Sequence, residues 1–521
     1  MMKRMCIGTA LFLGLFFCDN QEGQAQTYEI YDQNFNLTSR LEYDLISVLG
    51  ESVRVSAQGG EVRLLNKEYK PFVSLKSPKV YAYDQPWIVV EGTKGKGVFH
   101  EYGDEIFPAE YDHIQTFYTQ ILAQKGNQYW IYDHATRKVK DLGRFDHATL
   151  VLNGQVIAKS PQGYFLPLSK NPDYLYADLR PVNDKFILSK EPSGFGLINR
   201  EGDYVLDPII DQMVYLDGDY FYAFDGNQYM LIRGREEKVD IRYTSYHKIT
   251  YENDVLLEYI HGKLRRVLKN DGILLDQVGM ERVFSVGEKH FNVWTRESKL
   301  GLLGPNGWEV NPVVGVDAIF PGKEFLYGAK KGGLFGYVDR NGSWIIPAQF
   351  QEIRKFNDGL AAVMSSGAWG FVSRSGQMVF PAEFDHVSDF FRGLAIVRKQ
   401  GKFHLVDKNG GFLFEKGYDK ISLVPDNYFL IEEEGKMGLV APDGKLLFEP
   451  KFDELRREQA DRILVRIGDK YGVATESGDY LLPIYYQQIL FDQANNRVLA
   501  RDDYQFVQVP EKANLKKKKG A

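Results

Sequence analysis

The sequence predicts an all-β protein: a tandem array of three-stranded antiparallel meanders, about fourteen units of about 34 residues each. Three observations lead there. A glycine-centred pattern recurs at spacings of 32 to 36 residues, and Asn-Gly or Asp-Gly pairs stand at a fixed offset inside it. Aromatic residues are also in surplus, with 34 Phe, 32 Tyr and 6 Trp making 14% of 521 residues. Such an array is either propeller-like, two rings of seven units being one form, or an open β superhelix.

The repeat is clearest where Gly333–Phe350 and Gly367–Phe384 superpose at an offset of 34. With Gly336 and Gly370 as anchors, the same phase falls on His404, Gly438 and Gly472, and backwards on Gly301. Weaker copies stand at Glu29, Arg63, Gly97, Trp130, Tyr164, Gly196, Tyr229 and Arg265, with a half-unit at Gln505. Six residues past the anchor a second glycine, such as Gly342 or Gly444, supplies the positive φ of a tight hairpin turn. Apolar flanks such as Phe335–Val338 and Trp344–Ile346 read as the two strands that meet there. A proline five residues further on, such as Pro347 or Pro381, lacks the N–H of a central strand and belongs at a strand end or edge.

An aromatic and then an aliphatic follow, as in Phe384 and Val387 or Phe452 and Leu455, and read as plugs between units. A third strand, such as Leu360–Met364 or Leu394–Arg398, leads into the next unit. Little of the chain reads as helical; the charged stretch Phe452–Ile463 is the exception, expected to make one or two turns. One meander buries too little apolar surface to be stable alone, whereas stacked meanders share a continuous core.

These units resemble the WG (KWG-type) repeat of exported bacterial proteins. Trp369-Gly370 carries the dipeptide, Phe335-Gly336, Phe195-Gly196, Met437-Gly438 and Tyr471-Gly472 are near matches, and Asp339 stands where the motif places its aspartate. The likeness covers residues 27–510 and is strongest over 296–490. It implies an all-β array and carries no catalytic residue with it. The organisation read from the chain is a signal segment 1–25, a divergent half 26–260, a regular half 261–510 and a Lys-rich tail 511–521.

The first residues read as an export signal. Lys3 and Arg4 precede the apolar run Ile7–Phe17, eleven residues and too short for a transmembrane helix of about 20. Gly23 and Ala25 set small residues at the −3 and −1 positions, so cleavage is expected after Ala25. The rival is lipidation at Cys18, disfavoured because Phe17 stands where a small residue is preferred. Both cysteines, Cys6 and Cys18, lie in this segment, so the processed chain holds no disulfide, thiolate metal site or cysteine nucleophile. The expected address is the periplasm, the cell surface or the medium.

A net charge of −6 argues against nucleic acid as partner, since no basic stripe faces phosphates. His113, His147 and His386 share one phase, each after an aspartate (Asp112, Asp146, Asp385), and His247 lies near it; the pattern reads as a polar loop position rather than a metal site. Asp211, Asp217, Asp219 and Asp225 sit among turn glycines without a calcium-loop spacing. Gly92–Gly97 lacks the Walker spacing and a following helix. The charge-dense segment Arg233–Arg242 falls where the repeat degenerates and is a candidate partner loop, while Lys516–Lys519 reads as a solvated tail. No catalytic, cofactor-binding or metal-ligating residue is assigned. Repetition without a convergent polar constellation points to a non-enzymatic binding scaffold with a protein partner, a glycan being the other candidate. The alternatives are a propeller-like hydrolase acting on polysaccharide and a structural envelope component.

Overall fold

The computed structural model describes residues 26–502, apart from 44, 50–52, 59–60, 76–78, 118, 152–153, 253–254, 270–271 and 460. The signal segment, Cys6, Cys18, the half-unit at Gln505 and the lysine tail lie outside the described residues. The described chain is all-β, with single 3-10 turns at Pro425–Asn427 and Gln493–Asn495 its only helical elements. Its strands form fourteen antiparallel sheets, twelve of four strands and two of three, each following chain order apart from the sheet that joins the chain ends.

One sheet explains the rest. Glu352–Ile353, Leu360–Ser365, Ala368–Ser373 and Met378–Phe384 are its first to fourth strands. Val363 of the second strand lies opposite Gly370 of the third. Phe371, Phe384 and Val387 are fully buried, and they cluster with Phe380 and Phe390, so this sheet is plugged against the next by aromatic rings. Phe371 and Phe390 meet edge to face with centroids 4.8 Å apart. Burying one such ring contributes about 1.5–3 kcal/mol, and repetition of this contact replaces any single large core. The aromatic surplus is therefore a packing requirement, as expected from the sequence.

Two expectations need correction. The repeat unit is out of phase with the sheet: the expected third strand, Leu394–Arg398, is Leu394–Lys399, the second strand of the following sheet. The strand missing from the expected meander is the short first one, only His386–Val387 or Glu352–Ile353 long in places. Two residues leave no periodicity to read. The stretch Phe452–Ile463 is not helical either; Glu454–Gln459 is a strand with Leu455 paired to Val465. Leu455 occupies the plug position, and cross-strand pairing with burial outweighs a local helix preference.

Proline takes the expected edge but not always a strand end. Pro381 lies inside Met378–Phe384, at an irregularity where Phe371 pairs with Phe380 and Trp369 with Phe384. The fourth strand thus spends four residues against two and needs no N–H at the proline. Both three-stranded sheets carry an aromatic or imidazole side chain at the anchor, Tyr164 and His404. His404 lies close against the segment that follows, where a Cβ on Gly417 would lie 2.6 Å from its Nε2, and that segment keeps only the isolated bridges Phe403 to Tyr418 and Val406 to Phe412.

The described chain forms two compact units, one of the residues up to Arg144 with those from Lys451 onward, the other Phe145–Pro450. Residue 260 ends the strand Val255–Ile260, inside one four-stranded sheet. In the first unit the two chain ends share a sheet: Gln26–Tyr31 pairs with Leu37–Tyr43 on one side and Arg497–Asp502 on the other. The ends of the array are thereby joined, the propeller-like alternative of the two expected. A buried network locks this junction. The Arg54 guanidinium meets the Asp492 carboxylate (Nη2–Oδ1 2.8 Å), and the Tyr69 hydroxyl donates to the same carboxylate at 2.7 Å.

Candidate functional site

The hairpins between first and second strands of neighbouring sheets in the 145–450 unit are fastened to one another. Each turn needs two consecutive residues with positive φ: Glu324-Phe325 (55° and 63°), Asp358-Gly359 (54° and 82°) and Arg392-Gly393 (52° and 87°). This is the hairpin turn whose twist matches that of the flanking strands. The Gly359 N–H donates to Glu324 Oε1 at 3.1 Å, and the Gly393 N–H to Asp358 Oδ2 at 2.7 Å. Lys323 Nζ donates to Asn357 Oδ1 at 2.8 Å, and Arg374 donates to the Glu324 carbonyl at 2.9 Å. Ion pairs span longer steps: Lys289 meets Asp217 at 3.1 Å, and Lys355 meets Glu288. The Lys355 hydrogen bond holds the Glu288 carboxyl below its usual pKa. The result is a fixed rim that carries exposed aromatic rings, Phe325 at 81% and Phe391 at 48% exposure.

The residues singled out from the sequence fall elsewhere and are engaged locally. His113, His147, His247 and His386 are all exposed. The preceding aspartate has a structural task at Asp112, whose carboxylate accepts the Gly126 N–H at 2.6 Å across the neighbouring hairpin. Asp317 does the same for Gly332 at 2.7 Å and Asp453 for Gly468 at 2.7 Å. Among the described residues no group of three or more His, Cys, Asp or Glu is placed to hold a metal ion. Of the acidic cluster, Asp219 pairs with Lys185 at 2.9 Å, and Asp225 accepts the Asn227 and Gln228 N–H groups, which lower its pKa.

Gly92–Gly97 contains an ordinary hairpin turn, and a Cβ on Gly97 would lie 2.7 Å from the Phe107 carbonyl. The segment Arg233–Arg242 is also a hairpin, closed by Arg235 and Asp240 at 2.7 Å. Among the described residues no helix is long and apolar enough to cross a membrane.

The sequence reading passed over Phe325. Its signal was available: at the spacing of 34, residues Lys323–Leu326 align with Asn357–Leu360 and Phe391–Leu394, so Phe325 stands where two neighbours have glycine. It also passed over a buried polar group in the strand Val255–Ile260. Glu258, without exposure, occupies the position of Val363 and is held by the Tyr243 hydroxyl at 2.8 Å, by Ser245 and by Arg266 at 3.0 Å.

Repeated four-stranded antiparallel sheets joined through the chain ends place this chain in the class of propeller-like repeat proteins. The family described as WG containing repeat matches residues 335–367, 369–403 and 437–471, so that stretch carries WG repeats. Among solved structures it is similar to the extracellular domain of a one component system from B. thetaiotaomicron, at 10% identity over 92% of this chain and 82% of that one, with a TM-score of 0.16. It is also similar to BamB from Moraxella catarrhalis, at 11% identity over 51% and 91%, TM-score 0.21. A third is the extracellular domain of a hybrid two component system from B. thetaiotaomicron, at 9% identity over 88% and 81%, TM-score 0.19. No curated protein matches the chain.

Proposed function

We infer that this chain is an exported, non-enzymatic scaffold that binds a protein in the bacterial envelope. The observation that carries the reading is the fastened rim of the 145–450 unit, where exposed Phe325 and Phe391 are held on hairpins that cross-link their neighbours. Aromatic anchors on a rigid frame bind with little ordering cost, which is what a protein interface requires. The carboxylates named on this rim are occupied by cations or backbone N–H groups, so they stabilise the frame rather than wait as an acid and base pair.

Export is read from Lys3, Arg4, the apolar run Ile7–Phe17 and the small residues Gly23 and Ala25. The described part of the end-joining sheet, Gln26–Tyr31 with Leu37–Tyr43 and Arg497–Asp502, lies C-terminal to Ala25 and is kept by a chain processed there. N-terminal sequencing of the exported protein is expected to begin at Gln26. The function is tested by immobilising chain 26–521 against an envelope extract, beside a glycan array. A saturable protein partner is expected; selective glycan binding without one overturns the reading.

A further inference from the structure

Phe325 is the aromatic member of a run of like hairpin turns. It occupies the second central position of a two-residue turn at φ 63°, where the preceding hairpin has Lys289 at φ 60°, the next two use Gly359 and Gly393, and the one after has Asn427 at φ 66°. A bulky residue in the left-handed region is rare and strained, because its Cβ crowds the backbone. Other aromatic residues sharing this conformation put their rings to use. Tyr69 (φ 60°) is buried and donates its hydroxyl to Asp492, and Phe35 (φ 61°) lies under the Arg462 guanidinium at 5.3 Å. Phe325 instead points 81% of its surface to solvent. The hairpin that carries it is tied to its neighbour: Lys323 donates to Asn357, the Gly359 N–H donates to the Glu324 carboxylate, and Arg374 donates to the Glu324 carbonyl. A strained residue kept at a rigid, exposed position, where glycine would relieve the strain, points to a task outside the fold.

We propose that Phe325 is the anchor by which this rim engages a partner protein, its ring seating in an apolar pocket on that protein; this rests on the scaffold reading above. The shape of the site selects this occupant. A ring exposed on nearly all sides is a knob, and a knob needs a pocket, the arrangement of hot-spot residues between proteins. A sugar would call for a ring set in a recess beside free hydroxyl acceptors, whereas the Glu324 carboxylate already accepts the Gly359 N–H. An anionic lipid surface would call for free cations, but Lys323, Lys289 and Lys355 are bound to Asn357, Asp217 and Glu288. Phe391, 48% exposed and beside the Arg392 guanidinium at 5.7 Å, flanks the anchor two hairpins away and extends the contact.

The test uses the full chain in its own cells with a photo-crosslinking amino acid in place of Phe325, and a second chain with it in place of Tyr480, an exposed ring on a fourth strand of the other unit. One protein species is expected to be captured at 325 and not at 480. That protein, purified, is expected to bind the F325G chain at least tenfold more weakly than the parent and the F325W chain within threefold. F325G is expected to melt at or above the parent temperature, because glycine accepts the left-handed conformation. Unchanged affinity in F325G, an adduct only with a second copy of this chain, or no protein adduct at 325 overturns the proposal. A protein captured elsewhere and bound equally by F325G leaves the scaffold reading standing while the anchor falls; no protein partner by any route removes both.

Discussion

Gly370 faces the Phe380 carbonyl so closely that a Cβ built on the glycine would lie 2.6 Å from that oxygen. The same approach recurs at Gly336, 2.4 Å from the Ile346 oxygen, and at Gly438, 2.4 Å from the Phe448 oxygen. The glycine of the WG dipeptide is therefore demanded by the irregular, proline-bearing fourth strand, which folds over it.

Gly370→Ala is expected to destabilise the chain by about 1–3 kcal/mol, because backbone atoms cannot withdraw as a flexible side chain can. Gly367→Ala is the comparison: its φ is 81° and nothing lies within 4 Å of the added atom. It is expected to cost about 1 kcal/mol through backbone conformation alone. Urea denaturation of the two variants checks the order; equal losses would refute the steric account.

Arg54 and Asp492 are both buried and bind one another between the end-joining sheet, which holds Asp492, and the next sheet, which holds Arg54. Arg54→Ala is expected to cost about 3–5 kcal/mol, since it strands the Asp492 carboxylate without exposure to water. Replacing both, Arg54→Met with Asp492→Leu, is expected to recover most of that loss. Thermal melts of the three chains give the comparison.

Glu258 and Arg266 replace the usual aliphatic and glycine pair of the repeat. Glu258→Val, with Arg266 left to its Asp276 partner at 2.8 Å, is expected to be neutral or stabilising by about 1–4 kcal/mol. Arg266→Ala is expected to destabilise by about 3–5 kcal/mol, because Glu258 remains buried with only hydroxyl donors. Denaturation midpoints that move in the same direction would contradict this assignment.

His100 is stacked on His134, with ring centroids 5.3 Å apart and planes 8° from parallel, under the edge of Trp87. Burial, and then the neighbouring His134, lower the His100 pKa, against the smaller opposing pull of Glu101 and Asp104. The unfolded chain therefore takes up this proton more readily than the folded one. Stability is complete above the ordinary histidine pKa of about 6.5 and is lost as pH falls below it toward the folded value. Wild type is expected to lose more stability between pH 7.5 and pH 5 than His100→Gln; parallel pH profiles in chemical denaturation would dismiss the effect.

Much of the array was legible because its signals are local. Gly342 at φ 78° and its Asn341 neighbour specify a turn wherever they occur, and Phe371, Phe380 and Phe384 repeat at a spacing that any stacked sheet must satisfy. The short first strands were not legible. Glu352–Ile353 is a strand only because Ile353 meets Val363 of its partner, and two residues carry no pattern of their own. The helix expected over Phe452–Ile463 failed for a related reason: the pairing of Leu455 with Val465 lies in the partner strand, not in local composition.

By itself, then, the sequence determined the repeat, its hairpin turns, the aromatic packing and the likeness to WG repeats, since each depends on residues a few positions apart. Only the tertiary structure decided which strands share a sheet, that Gln26–Tyr31 pairs with Arg497–Asp502 beside the Arg54–Asp492 pair, and that Phe325 is strained and exposed while Glu258 is buried. Those properties arise from contacts across tens to hundreds of residues, and free energy of that kind is invisible until the chain has folded.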